Sequence, residues 1–320
     1  MGDLVAPLAF GMPPAWIQRL PDRPVTRFAP SPTGRLHLGH VVNAVWVFGI
    51  AQARSGRVVL RMEDHDRGRS RPDYEAAILD DLAWLGLAPD SESLESLAAG
   101  GGSPYRQSDN DPRYQAAVGR LEAHGAVLYW CDCSRRTVVR SLGEDAPAAG
   151  EEPRYPGTCR DKGLAPGAGR GLRVVLPSED IAFDDLRLGA LVHTPAEQCG
   201  DLLLRDATGN WTYQFSVVVD DLEHGIDLIV RGEDLLGSTG RQILLRQMLG
   251  RADRPAVLHH PLLLDDAGAK LSKRDGASGI AELRAAGLSP EAVLGQAAHR
   301  SGLIPTPLPI GPGELGSLFR

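Results

Sequence analysis

The sequence predicts an α/β fold with a parallel sheet, and three neighbouring segments carry that prediction. Residues 25–28 have the pattern of a strand and run into a loop with two prolines and a glycine. Residues 38–54 contain no proline and repeat apolar side chains at helical spacing, whereas residues 57–63 are largely β-branched and apolar. A strand, a helix and a strand in this order form a βαβ unit, whose crossover implies parallel strands with helices on the sheet faces.

The alternation of helices and strands continues along the chain. The dipeptide Gly209-Asn210 predicts a turn between two strands that face each other, at 201–204 and 211–215. Residues 88–104 are rich in Ser and Gly and predict a loop. The other predicted elements are helices at 73–85, 112–124, 240–249 and 289–300 and strands at 173–176 and 226–230.

Composition predicts how the chain divides. Its 320 residues are 42% hydrophobic, which suffices for a buried core. Residues 143–171 are crowded with Gly, Pro, Ala and charges, so we expect a flexible insertion around Tyr155 and Cys159 rather than packed core. The predicted parts are an N-terminal extension, two halves of one α/β domain, a subdomain inserted between these halves and a short helical C-terminal region, at 1–23, 24–125 with 201–279, 126–200 and 280–320.

Charge and hydropathy narrow the class of protein. The net charge of −7 and the pI near 5.7 do not indicate a nucleic-acid binder through bulk positive charge. No apolar run reaches the roughly 18 residues that a membrane span needs, and the first twenty residues lack a signal-peptide pattern, so we expect a cytoplasmic protein. Two local arginine groups are candidate RNA contacts, although a solvated face is the simpler interpretation of each: Arg67, Arg69 and Arg71, then Arg135, Arg136 and Arg140.

The first candidate for chemistry lies where the 25–34 strand and loop lead into a helix. A helix N-terminus offers free backbone N–H groups and a partial positive charge, which suit a nucleotide phosphate. Gly39 allows close approach to the backbone, and His37 and His40 are three residues apart, so their N–H groups can stabilise charge at a phosphorus atom. Taken alone, two histidines with this spacing would be interpreted as helix caps or surface residues.

The second candidate is the basic segment 270–274, which follows an apolar stretch and a turn. Lys270 and Lys273 are three residues apart, and lysines on a mobile loop can offset charge that builds up on a pyrophosphate leaving group. Alone, this segment could be a basic surface turn.

Together, the two motifs resemble those of the class I aminoacyl-tRNA synthetases in their glutamyl and glutaminyl form. The resemblance covers about residues 25–300 and includes residues 61–67, 219–221 and 231–234. It implies a Rossmann-type catalytic domain that binds ATP with Mg²⁺ through His37, Gly39, His40, Lys270 and Lys273, where both histidines and both lysines are catalytic. It also implies that the amino acid is surrounded by Arg27, Phe28, Ala29, Pro30, Ser31, Glu63, Tyr213 and Arg231.

The chemistry of the residues expected around the amino acid agrees with a glutamate substrate. L-Glutamate presents two carboxylates and one ammonium, so two arginines and one carboxylate complement it. Glu63 and Arg231 follow predicted parallel strands, and ligands bind at the carboxyl ends of such strands. The alternative is that Glu63 and Arg231 form an internal salt bridge.

Three of the four cysteines suggest a structural zinc ion. Cys131, Cys133 and Cys159 would supply three thiolates of a tetrahedral site, which needs a fourth ligand. The resemblance implies that Tyr155 is this ligand. Cys199 is a possible substitute. Because it lies next to a predicted strand, the alternative is that it is a small buried apolar residue. The alternative to zinc is three inert cysteines.

The region after the lysine motif points to one branch of the family. About 46 residues follow Arg274, which is too short for the anticodon-binding portion of a full glutamyl or glutaminyl enzyme. The chain therefore resembles the stand-alone members that transfer activated glutamate to queuosine in tRNA(Asp), and we expect a monomer. The alternatives are a shortened enzyme that charges tRNA(Glu) and a non-catalytic zinc-containing RNA-binding module.

Overall fold

The computed structural model describes residues 14–143, 152–263 and 279–320. The strands of this part of the chain are β1 (Val25–Phe28), β2 (Arg57–Leu60), β3 (Leu128–Cys131), β4 (Gly171–Val174), β5 (Ile181–Asp185), β6 (Gly189–His193), β7 (Leu202–Arg205), β8 (Leu228–Gly232) and β9 (Ala256–His260). Its α-helices are α1 (Leu38–Ala53), α2 (Pro72–Trp84), α3 (Ser91–Ala98), α4 (Asp111–Ala123), α5 (Arg135–Leu142), α6 (Pro195–Cys199), α7 (Tyr213–Glu223), α8 (Thr239–Met248), α9 (Ile280–Ala285) and α10 (Pro290–Arg300).

The predicted α/β fold with a parallel sheet is confirmed. Strand β1 pairs with β2 in parallel, and β8 pairs with β9 in parallel. Strand β9 continues to β5 in parallel, and β6 closes this edge as an antiparallel strand. The backbone N–H of Asp227 donates to Val25 O at 3.0 Å, so β8 begins beside β1.

This arrangement makes β1 the point at which the strand order changes direction. The chain leaves β1 through α1 toward β2 on one side, whereas β8 and β9 extend the sheet on the other side. Helices that follow the two neighbouring strands then lie on opposite faces and leave a crevice at the carboxyl ends of the strands. Residues directly after these strands therefore share one crevice.

Helix α1 lies in the centre of the core. Its apolar residues are buried on nearly all sides, which is typical of a helix that is enclosed by other elements. The C-terminal segment covers it, and the rings of Trp46 and Phe319 make an edge-on contact with centroids 5.3 Å apart. A Cβ atom at Gly49 would lie 2.4 Å from the Phe319 ring, so a glycine is needed at this crossing.

A second sheet is antiparallel and consists of β3, β4 and β7. Tyr155 and Cys159 lie beside it with only 3% and 0% of their surface exposed, where they form a small separate core with Cys131 and Val138. The prediction that this segment is flexible and not packed is therefore wrong for Tyr155 and Cys159. Its Gly- and Pro-rich composition hid the fact that a few large or sulfur-containing side chains suffice to build a local core.

Two element predictions are wrong. The predicted strand at 211–215 is the start of α7, and Trp211 forms only one isolated bridge, to Arg205. Trp211 and Phe215 pack against each other at 5.3 Å, and a short aromatic run does not distinguish a strand from a buried helix. The predicted loop at 88–104 contains α3, whose first turn is capped by the Asp90 side chain, which accepts from Ser93 N.

The remaining predicted helices and strands are present within a few residues of their predicted bounds, although the second strand ends at Leu60 rather than at Glu63. Strands β3, β5, β6 and β9 were not predicted. The boundaries of the predicted domains stay predictions. In the described ranges, no helix combines the length and the apolar character that a membrane crossing requires.

Candidate active site

A cavity of about 750 Å³ opens at the carboxyl ends of β1, β8 and β9. Its wall comes from the loop after β1, the first turn of α1, the segment after β2 and the ends of β8 and β9. The cavity therefore occupies the crevice that the strand order creates. Predicted site residues among its lining are Arg27, Ala29, Pro30, Ser31, His37, Gly39, His40, Glu63, Tyr213 and Arg231.

The first turn of α1 forms one side of this cavity. His37 caps the helix, because its Nδ1 accepts from Gly39 N at 3.1 Å, while His37 N donates to His40 Nδ1 at 3.1 Å. The two imidazole rings lie 4.0 Å apart between centroids. The interpretation as helix caps and the interpretation as cavity residues are thus compatible, because both histidines cap the helix and line the cavity. A Cβ at Gly39 would lie 2.9 Å from the His37 ring, so this position also requires a small residue.

A network of buried charges forms the floor beside β1 and β2. Arg61 is fully buried and donates to Asp221 Oδ1 at 2.7 Å and to Glu63 Oε1 at 2.9 Å. Arg27 Nε donates to the same Asp221 oxygen at 3.2 Å. Burial alone would raise the pKa of Asp221, but Arg27 and Arg61 hold it below its ordinary value. Glu63 therefore has an internal partner, and that partner is Arg61, not Arg231.

Arg231 has a different environment. Only 4% of its surface is exposed, and its guanidinium donates to His259 Nε2 at 3.1 Å, to Gln242 Oε1 at 2.6 Å and to Thr239 Oγ1 at 2.7 Å. All three acceptors are neutral groups, and no carboxylate in the described ranges forms an ion pair with Arg231. Burial lowers the pKa of this guanidinium. The cavity wall thus contains a buried positive charge that neutral acceptors hold in place and that no carboxylate of the described ranges contacts directly.

Three predicted site residues are not seen in this wall. The Phe28 side chain does not line the cavity but lies in the core, with its ring centroid 6.0 Å from that of Phe48. Lys270 and Lys273 lie outside the described residues. The ends of the flanking described segments adjoin the cavity, because Leu263 lines it and Gly279 forms an antiparallel bridge with His37.

Sequence reasoning missed several residues of the cavity, including Asn43, His65 and His260. His65 Nδ1 lies 2.9 Å from Gln107 Oε1, and Gln107 Nε2 donates to the buried Asp220 at 2.9 Å. His260 lies 3.1 Å from Asn43 Nδ2, and burial lowers the pKa of His260 to about 4. For His65, its place directly after Glu63 and Asp64 at the end of a predicted strand was a usable signal.

The cysteine cluster lies away from this cavity, beside the antiparallel sheet. The sulfur atoms of Cys131, Cys133 and Cys159 are all within 4.8 Å of one another. The Tyr155 hydroxyl oxygen lies 3.3 Å from Cys131 Sγ and 3.9 Å from Cys133 Sγ. Zinc with Zn–S bonds of about 2.3 Å holds tetrahedral sulfur ligands about 3.8 Å apart, so these four donors fit a zinc ion.

Cys199 is not part of this cluster. Its thiol is buried and contacts the backbone oxygens of Pro195 and Gly200, and burial raises its pKa to about 11. The interpretation of Cys199 as a substitute zinc ligand therefore does not hold, and it is a small buried side chain. Asp132 also offers a carboxylate oxygen to a metal ion near the cluster, 3.1 Å from Cys159 Sγ, but this oxygen pairs with Lys162.

The sheet order, the helix that begins at the switch point and the cavity with a histidine pair and buried arginines are typical of a nucleotide-binding α/β enzyme. The family described as "tRNA synthetases class I (E and Q), catalytic domain" matches residues 24–306. The chain belongs to this family of glutamyl and glutaminyl class I synthetases, and its members are ligases.

Relatives of two kinds share the catalytic domain. A glutamyl-Q tRNA(Asp) synthetase from Symbiobacterium thermophilum is 44% identical over 303 residues, which are 92% of this chain and 91% of the relative. A glutamate–tRNA ligase from Nitratidesulfovibrio vulgaris is 41% identical over 84% of this chain but only 55% of its own length. The crystal structure of a glutamate tRNA ligase from Elizabethkingia meningosepticum, in complex with its amino acid, superposes with a TM-score of 0.71 at 28% identity over 87% of this chain and 60% of that chain.

Proposed function

We propose that this protein activates L-glutamate with ATP to form glutamyl-adenylate and then transfers the glutamyl group to queuosine at the wobble position of tRNA(Asp). The relative named glutamyl-Q tRNA(Asp) synthetase, which aligns over nearly its whole length, supports this acceptor. A cytoplasmic location and a monomeric state belong to the same proposal.

The choice of glutamate rests on Arg231, a buried guanidinium that no carboxylate of the described ranges contacts directly. A carboxylate that enters the cavity would find a guanidinium that neutral acceptors already hold in place. Glu63, Ser31 and Tyr213 line the same cavity, and the Glu63 carboxylate complements the substrate ammonium. Arg27 forms an ion pair with Asp221, so it attracts a second substrate carboxylate more weakly than an unpaired arginine would.

The start of α1 supports ATP binding. In the proposed step, a carboxylate oxygen of glutamate attacks the α-phosphorus of ATP, and the bond to the bridging oxygen of pyrophosphate breaks. His37 and His40, at the positive end of the helix, would stabilise the charge at phosphorus, and Gly39 would allow the nucleotide to approach the backbone. Lys270 and Lys273 would act on the pyrophosphate, and Mg²⁺ would accompany ATP.

Pyrophosphate exchange tests the activation step. Purified protein with glutamate, ATP and labelled pyrophosphate is expected to form labelled ATP without any tRNA, because adenylate formation is reversible. Lys273→Ala is expected to abolish the exchange, whereas glutamate binding measured by calorimetry persists. An exchange that glutamine or aspartate supports better than glutamate would contradict the substrate assignment, and equal loss of exchange and binding in the variant would indicate misfolding.

The 41% identity to a glutamate–tRNA ligase supports a second acceptor, the 3′ end of tRNA(Glu). Labelled glutamate should be offered with tRNA(Asp) that contains queuosine, with tRNA(Asp) that lacks it and with tRNA(Glu). Under our proposal only the first tRNA is labelled, and ribonuclease fragments place the label in the anticodon loop. Label on the terminal adenosine of tRNA(Glu) would establish the alternative, and no transfer at all would favour a binding module.

We also propose that Cys131, Cys133, Cys159 and Tyr155 bind one structural zinc ion, which would cross-link the ends of β3 and the following segments. Cys131→Ser is expected to lower the zinc content, measured by atomic emission, from about one ion per chain to below about 0.2, since structural sites need all four ligands. Cys199→Ser is the matched control and should keep the zinc, because Cys199 lies outside the cluster. Equal zinc content in the wild type and the Cys131 variant would argue against the site.

A further inference from the structure

Asp185 and His259 are two buried residues that lie behind Arg231, and the proposed reaction does not use them. Both are 0% exposed, and neither lines the cavity. Asp185 ends β5, and His259 lies in β9, so the sheet itself holds them side by side. Burying an ionisable pair is costly, and such a pair behind a binding residue calls for a functional explanation.

The hydrogen bonds of Asp185 determine which nitrogen of His259 carries the proton. Asp185 Oδ2 lies 2.7 Å from His259 Nδ1 and also accepts from His259 N at 3.1 Å. Asp185 Oδ1 accepts from the backbone N–H groups of Arg187 and Leu188 at 3.0 and 2.8 Å. Three backbone N–H groups favour the ionised form of Asp185, and a carboxylate is an acceptor only, so His259 Nδ1 carries a proton that it donates to Asp185.

The other ring nitrogen of His259 then has to be an acceptor. Arg231 Nε donates to His259 Nε2, and an arginine has no acceptor atom, so Nε2 carries no proton and the imidazole is neutral. Burial lowers the pKa of His259, which agrees with a neutral ring. Thr239 Oγ1 lies 3.0 Å from the same nitrogen and accepts from Arg231 Nη2, so the imidazole, the hydroxyl and the guanidinium are held against one another.

We propose that Asp185 and His259 are positioning residues for substrate binding: they orient the Arg231 guanidinium toward the cavity through a neutral imidazole and leave its positive charge to the substrate carboxylate. The inference rests on the proposed function, in which Arg231 binds glutamate. A carboxylate in direct contact with Arg231 would hold the side chain equally well but would compensate its charge. The imidazole between them holds the Arg231 side chain without a carboxylate at the guanidinium. Asp185 orients the ring, and the neutral ring accepts the hydrogen bond from Arg231.

Kinetics of glutamate-dependent exchange test this role. His259→Leu removes the acceptor, and Asp185→Asn allows the opposite tautomer, in which Nε2 carries a proton that faces Arg231 Nε. Both variants are expected to raise the KM for glutamate by about tenfold to a hundredfold while the KM for ATP stays within about threefold, the effect of a lost hydrogen bond to a charged group. His259→Gln, whose amide oxygen can replace Nε2 as acceptor, should recover most of the glutamate affinity.

The matched control is His224→Leu. His224 is half-buried at the end of α7, where Nε2 lies 3.2 Å from the Pro104 carbonyl oxygen, and it does not line the cavity. This variant should lose some thermal stability with no change in the KM for glutamate. If the His259 and Asp185 variants lose stability but keep their KM for glutamate, or if the KM for ATP rises equally, the two residues are structural only and the proposal fails.

Nitrogen NMR of the wild-type protein separates this inference from the proposed function. The ¹⁵N shifts of His259 are expected to report a neutral ring that is protonated at Nδ1. A ring protonated at Nε2, or a charged ring at neutral pH, would overturn the inference even if glutamate is the substrate. If the expected tautomer is found but glutamate supports no exchange, the proposed function fails and the orientation of Arg231 stands.

Discussion

Replacing Arg231 with methionine is expected to reduce the efficiency of glutamate-dependent pyrophosphate exchange by about a hundredfold to a few thousandfold. Methionine keeps much of the length of the side chain but offers no donor, so a bound carboxylate would lose its charged partner in a buried site. Loss of one partner of a buried charge pair costs about 3–5 kcal/mol, and each 1.4 kcal/mol corresponds to a factor of ten. The loss should appear mainly in the KM for glutamate.

Two further variants make the Arg231 result specific. Arg231→Lys retains the charge but cannot donate to His259, Thr239 and Gln242 in one fixed geometry, so an intermediate loss is expected. Arg205→Met removes an arginine that packs over Trp211 outside the cavity, and its exchange kinetics should equal those of the wild type. A KM for glutamate that changes less than threefold in Arg231→Met would show that another residue binds the substrate carboxylate.

Arg61→Leu is expected to lower the free energy of unfolding by about 3–5 kcal/mol at neutral pH, which is a large part of the stability of a typical domain. Arg61 is fully buried, and its removal would leave Asp221 and Glu63 with fewer partners in the interior. Urea denaturation followed by circular dichroism measures the difference. Arg69→Leu is the matched control, because its ion pair with Asp66 is exposed and should contribute less than about 1 kcal/mol.

The stability difference between the wild type and Arg61→Leu is expected to depend on pH in one direction. In the wild type, the lowered pKa of Asp221 means that its contribution to stability is fully present above the ordinary value of about 3.9 and is lost as the pH falls through the folded-state pKa. Without Arg61, burial would favour the protonated form of Asp221, so the variant would recover relative stability in acid. The difference between the two proteins should therefore shrink as the pH falls from 7 toward 4, and a constant difference would point to lost packing instead.

The sequence predicted the parts of the fold and site that depend on contiguous residues. The strand and loop before His37, the helix from Leu38 and the strands that precede Glu63 and Arg231 each have a local pattern. A phosphate-binding helix start needs a loop, a small residue and donors within one turn, and this requirement is visible in the chain itself. Helix α3 was missed because the Ser- and Gly-rich composition of residues 88–104 indicated a loop, although Leu94 and Leu97 have helical spacing and Asp90 caps the first turn.

Pairing across the fold could not be predicted in this way. From the sequence, ligand binding by Glu63 and Arg231 was favoured, and a shared salt bridge between them was the alternative. In the structure, Glu63 forms an ion pair with Arg61, two residues away, because both side chains lie at the carboxyl end of β2 beside Asp221. The partners of Arg231 come from α8 and β9, and these elements meet only when the sheet is complete.

By itself, the sequence determined the family, and it predicted the residues for adenylate chemistry and the cysteines that suit a metal, because each depends on residue types at short spacing. Only the tertiary structure decided that the buried charges are divided unequally, so that Arg27 and Arg61 are paired with carboxylates while Arg231 is held by neutral acceptors. The reason is physical: the free energy of a buried charge depends on which groups surround it in space, and residues 185, 231, 239, 242 and 259 become neighbours only through the packing of separate strands and a helix.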